Sequence, residues 1–184
     1  MSKLWKSKTL PTIITSLGMS LSFVARGASA ETTLELGAYL DRPGGREIVE
    51  QRYYDAIDLT ETWLSKPRPA HRLVAYTNLC VAHVKVGNLE SAKEMCDQAV
   101  DLAKARDGYG ASRTLRESAP AVVRALNNRG VVSYLLGDPG AAIEDLETAA
   151  ELRDRTDGWV APKRNLAYVE SRETGSPAVA QTSE

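Results

Sequence analysis

Asn78-Leu79-Cys80-Val81-Ala82-His83-Val84-Lys85-Val86-Gly87 and Asn128-Arg129-Gly130-Val131-Val132-Ser133-Tyr134-Leu135-Leu136-Gly137 are the two stretches that decide the fold. Each begins on asparagine, carries apolar residues at helical spacing, and ends on a glycine nine residues later. Five residues past the glycines stand Ala92 and Ala142, seven further Ala99 and Ala149, and then Leu102 and Leu152. Self-similarity at a fixed distance marks a repeated structural unit. Gly87 and Gly137 are suited to the left-handed position that closes a helix. Asn88, and Asp138 followed by Pro139, are suited to start the next one. The unit is therefore a helix, a tight turn and a second helix.

Outward from these units the helical period continues. Ile48, Val49, Tyr53, Ala56, Ile57, Thr60, Trp63 and Leu64 predict one amphipathic helix over 46–64, ended by Pro67 and Pro69. Helices are expected over 70–86, 88–106, about 118–137, 138–155 and 161–172, with a loop at 107–118. Ser118 is the expected cap of the fourth, with Pro120 in its first turn. The expected organisation is a lead-in at 31–45, a helical domain at 46–172, and a disordered tail at 173–184. Only 6% of residues are aromatic, against 43% hydrophobic and 26% charged, which disfavours a β-sandwich and fits close-packed helices.

On these residues the chain resembles the tetratricopeptide repeat family, whose helix-turn-helix unit places small residues where helices touch and a glycine in the turn. The resemblance implies an all-α fold of antiparallel helix pairs stacked as a short solenoid. Cys80 and Gly130 take the small site of the first helix, Gly87 and Gly137 the turn, and Ala92, Ala99, Ala142 and Ala149 the small sites of the second. A half-unit precedes, in Ala56, Ile57, Asp58, Glu61, Thr62 and Trp63, and another follows from Asn165, Leu166 and Ala167. Departures are Leu126 in place of an aromatic, His83 and Ser133 at a large site, and no terminal proline. Because Gly130 lets the helix of Ala142 approach, Gly130→Leu is expected to overpack that contact and Gly130→Ala to be mild.

Lys3, Lys6 and Lys8 precede an uncharged run from Thr9 to Ala25, followed by Ala28, Ser29 and Ala30. That order matches a signal peptide over 1–30, cleaved after Ala30, and predicts a periplasmic or secreted protein; an uncleaved anchor is the alternative. Taking the four basic residues of this segment from the chain's 23 leaves 19 against 24 acidic ones, a net charge of −5. Without a basic face, such a chain is not expected to bind nucleic acid, nor to stay inserted in a membrane after cleavage. Export also places Cys80 and Cys96 where a disulfide persists. Seven and eight residues from the turn of an antiparallel hairpin, they face each other at one height; buried free thiols are the alternative.

No nucleophile elbow, phosphate loop or zinc-protease motif is present, and His71, His83, Cys80 and Cys96 match no metal-site spacing. No cofactor is expected. Glu144, Asp145 and Glu147 read as a solvated outer face. Asn78, Asn128 and Asn165 recur at one position of three successive first helices, which the resemblance places on the concave groove. An amide both donates and accepts, so such a ladder suits the backbone of an extended peptide; local bonds to inter-helix turns are the other reading. Arg124, Asn127 and Arg164 add positive and polar character there, fitting an acidic ligand. The expected function is an exported, non-catalytic scaffold that binds a protein or peptide in this groove. A small exported enzyme or enzyme subunit, or a membrane-tethered envelope assembly factor, is the alternative.

Overall fold

Helix closure by glycine recurs in the tertiary structure. A computed structural model describes residues 34–66, 69–108, 115–154 and 159–175, which all fall in one compact unit, Thr32–Glu184. The expected signal peptide lies outside the described residues, as does the expected tail beyond residue 175. The described elements are helical: α1 Gly45–Val49, α2 Tyr53–Leu64, α3 Pro69–Lys85, α4 Leu89–Gly108, α5 Leu115–Leu135, α6 Pro139–Asp154 and α7 Ala161–Glu173. At the end of α3, Gly87 has φ 78 and the Asn88 N–H donates to His83 O at 2.9 Å. The end of α5 repeats this, with Gly137 at φ 84 and Asp138 N–H on Ser133 O at 2.9 Å. Asn88 and Asp138 then cap α4 and α6 through the amides of Ser91 and Ala141.

The helices pack in antiparallel pairs, α3 on α4 and α5 on α6, with α4 against α5 joining the pairs. The first helices α3, α5 and α7 are also in contact in that order, forming one layer. Ala92, Ala99, Ala142 and Ala149 are all buried where the pairs meet. Leu73, Val100, Val122, Val123 and Leu126 fill the space between layers. A second cluster gathers Cys80, Ala92, Cys96 and Val132, and a third holds Ala142, Leu146 and Val169. α2 flanks one end of the array against α3, and α7 the other against α6 and α5. Cys80 and Cys96 are joined by a disulfide across the α3–α4 pair, with Cα atoms 5.2 Å apart.

Three local expectations differ from the structure. The single helix over 46–64 is two, because Gln51 adopts φ 59 and the Gln51 and Arg52 amides turn back onto Ile48 and Glu47 carbonyls. The segment ahead of the break is closely packed: a side chain on Gly44 would run into the Thr60 hydroxyl, and one on Gly45 into the Tyr39 carbonyl. The break leaves Val49 and Tyr54 exposed. α5 starts at Leu115 rather than near Ser118, so Pro120 sits inside it. Pro120 is exposed, and the loss is one backbone bond in a helix of 21 residues. Asp145 is buried rather than outward-facing: Arg129 on α5 grips both its oxygens, at 2.7 and 2.8 Å, and reaches Asp97 of α4 at 3.5 Å. Those hydrogen bonds push the Arg129 pKa further up.

Candidate peptide-binding face

An extended residue presents its N–H and C=O on the same side, and residues i, i+2 and i+4 share that side. A side-chain amide of matching orientation can therefore take both groups of one residue, as a neighbouring strand would. The α3–α5–α7 layer does this three times. Asn165 Oδ1 accepts from the Glu35 N–H at 2.8 Å while its Nδ2 donates to the Glu35 carbonyl at 2.8 Å. Asn128 holds Gly37 in the same way, at 2.8 Å for both bonds. Asn78 accepts from Tyr39 N–H at 2.8 Å, donates to its carbonyl at 3.1 Å, and donates also to Pro43 O at 2.9 Å. Asn127 donates to the Glu35 carbonyl at 2.9 Å and accepts from Asn165 at 2.8 Å, tying the α5 and α7 rungs together.

The lead-in thus lies along the layer as a strap, running from α7 to α3, opposite to the order of the repeats. Its side chains are held as well. Leu34 packs beside the Ala142, Leu146 and Val169 cluster. Glu35 pairs with Arg164 at 3.0 Å. The Arg124 guanidinium lies 4.0 Å from the centre of the Tyr39 ring. Gly37 is buried, and a Cβ there would come within 2.7 Å of Trp159 and 2.8 Å of Arg124. Among the six residues expected to line the groove, Asn78, Asn127, Asn128, Asn165, Arg124 and Arg164 all converge on this one segment. The asparagines are fully buried, so without an occupant or water their amides would be left unpaired at about 1–3 kcal/mol each.

The sequence marks residues 31–45 only as a lead-in to the helical domain. The available signal was the alternation Glu35, Gly37, Tyr39, faced by two arginines and the amide ladder, but no local rule couples positions this far apart. Trp159, which closes over Gly37, belongs to no motif or repeat position that the sequence marks. His83, placed at a large core site, is buried on α3 with Nδ1 lacking a hydrogen-bond partner. Burial pushes its pKa down, and the nearby Glu61 carboxylate opposes that in part.

The tetratricopeptide repeat family matches residues 73–106 and 123–156. The chain carries two tetratricopeptide repeats. The matched segments begin at corresponding residues of α3 and α5 and end near the close of α4 and α6, so each covers one antiparallel pair. The tetratricopeptide units are 50 residues apart, and the excess over the 34-residue repeat lies between them, in the α4–α5 connection and the long start of α5. No curated protein and no solved structure matches the chain. Among the described residues no helix is long and apolar enough to cross a membrane, and no group of three or more His, Cys, Asp or Glu side chains is placed to hold a metal ion.

Proposed function

We propose that this protein is an exported, non-catalytic tetratricopeptide scaffold that binds a protein or peptide partner on its α3–α5–α7 face, by the backbone of an extended segment. The observation that carries the reading is the amide ladder: Asn165, Asn128 and Asn78 each take both backbone groups of alternate residues of an extended chain. Such bonds are independent of side chains, so the face is chemically a receptor for extended polypeptide. In the resting protein the strap fills it. The run from Lys3 to Ala30 supports export to the periplasm or the medium, with Glu31 as the first mature residue. The acidic mature chain supports a protein partner over nucleic acid.

The strap's own side chains give the test, because Glu35 and Tyr39 belong to the occupant and not to the receptor. Glu35→Ala with Tyr39→Ala weakens the strap and is expected to raise partner capture from an envelope extract several-fold over wild type. Adding Asn128→Ala and Asn78→Ala to that chain returns capture to the wild-type level or below, each lost amide costing about 1–3 kcal/mol. Equal capture by all three folded chains would place binding on another surface. N-terminal sequencing of the recovered protein tests export: Glu31 as first residue supports cleavage, Met1 the anchored form.

A further inference from the structure

The ladder alone reads no sequence, yet the strap is held by contacts that do. We propose that the α3–α5–α7 face is selective for an extended peptide of the pattern apolar, acidic, any, glycine, any, aromatic, and that residues 34–39 are a tethered pseudo-ligand which a partner bearing that pattern replaces. The proposal rests on the function argued above and adds the ligand's chemistry.

Each element of the pattern is set by side chains of the array. The apolar position is set by the cluster of Ala142, Leu146 and Val169, against which Leu34 packs. The acidic position is set by Arg164, 3.0 Å from the Glu35 carboxylate. The glycine position is the most selective: Trp159 Cη2 and Arg124 Cγ stand 2.7 and 2.8 Å from where any Cβ would be, closer than real Cβ contacts come. The aromatic position is set by Arg124, whose guanidinium covers the Tyr39 ring at 4.0 Å. Arg124 thus acts twice, its aliphatic stem excluding a side chain at one position and its charge recruiting a ring two residues later. The intervening positions, Leu36 and Ala38, alternate to the other side of the strand and are unspecified.

The strap is also built for exchange. Among the described residues 34–39, the backbone groups bond to the array through asparagine side chains rather than a backbone ladder. A covalent tether gives such a segment an effective concentration on the order of millimolar, so a partner in trans must bind well or meet a weakened strap.

The probe is a fluorescent peptide spanning residues 33–44, titrated by anisotropy into the full chain. It should bind the Glu35→Ala, Tyr39→Ala chain about tenfold or more tightly than wild type, whose intact strap competes. On the double variant, the same peptide with Gly37→Val should bind about tenfold or more weakly, as overpacking of a tight contact predicts. The peptide with Glu35→Lys should lose about threefold and recover when the chain also carries Arg164→Glu. Hydrogen exchange at residues 35, 37 and 39 reports whether the strap has been loosened. Should it stay protected in the double variant, a chain carrying Gly37→Val in the strap takes its place. Equal binding of the glycine and valine peptides would overturn the selectivity and leave extended-peptide binding standing. No binding of any peptide to a folded chain with its strap exchanging freely would overturn both.

Discussion

At the scale of single residues, Gly130 shows how closely the second helix pair is packed. A Cβ there would come within 2.8 Å of Leu146 Cγ and 3.1 Å of the Ala142 carbonyl. Leu146 is itself fully buried, so the neighbour has nowhere to go. The sequence expectation that Gly130→Ala is mild is therefore corrected: overpacking of about 1–3 kcal/mol outweighs a helix-propensity gain of about 1 kcal/mol. A urea midpoint below wild type in Gly130→Ala, and lower still in Gly130→Leu, is the expected result. His83 supplies a pH dependence. Its pKa in the folded protein is below the ordinary 6.5, chiefly because burial disfavours the charged ring, against a smaller opposing effect of Glu61. Below pH 6.5 the unfolded chain takes up this proton more readily than the native one, so the stability His83 contributes is present above that pH and falls as pH drops toward the folded value. Urea melts between pH 7.5 and 5.5 should show that loss in wild type, and a shallower one in His83→Gln.

At the scale of elements, the α3–α4 hairpin is the part read most fully from sequence, since its stop, cap and small-residue sites are all local signals. Its disulfide follows from the same geometry, Cys80 and Cys96 standing at equal height on the facing helices with Cα atoms 5.2 Å apart. Closing a loop of sequence separation 16 is worth about 3 kcal/mol in the chain-entropy model. Protein purified without reductant should show no reactive thiols after denaturation, and reductant should lower its melting temperature; two labelled thiols without reductant would place the cysteines as free. The α1–α2 break illustrates the opposite case. Ile48, Val49, Tyr53 and Ala56 fit one helical stripe, but the chain breaks at Gln51, and Gly44 packs against Thr60 of α2, a contact that periodicity does not encode.

At the scale of the whole molecule, three first helices in one layer carry an amide ladder, and the chain's own amino-terminal strap closes over it. Arg129, Asp145 and Asp97 tie α5, α6 and α4 from within the array, and the asparagines tie α7, α5 and α3 across its face. The sequence by itself determined the helix pairs, their turns, the stacking that follows from small residues in register, and the alignment of Asn78, Asn128 and Asn165, because each depends on spacings of three, four or a full repeat. Only the tertiary structure decided what those asparagines hold. Glu35 and Asn165 are 130 residues apart, and Gly37 and Asn128 are 91. Bonds between a side chain and the bare backbone of so distant a segment leave no pattern in the residues that supply the backbone, since every non-proline residue offers the same N–H and C=O.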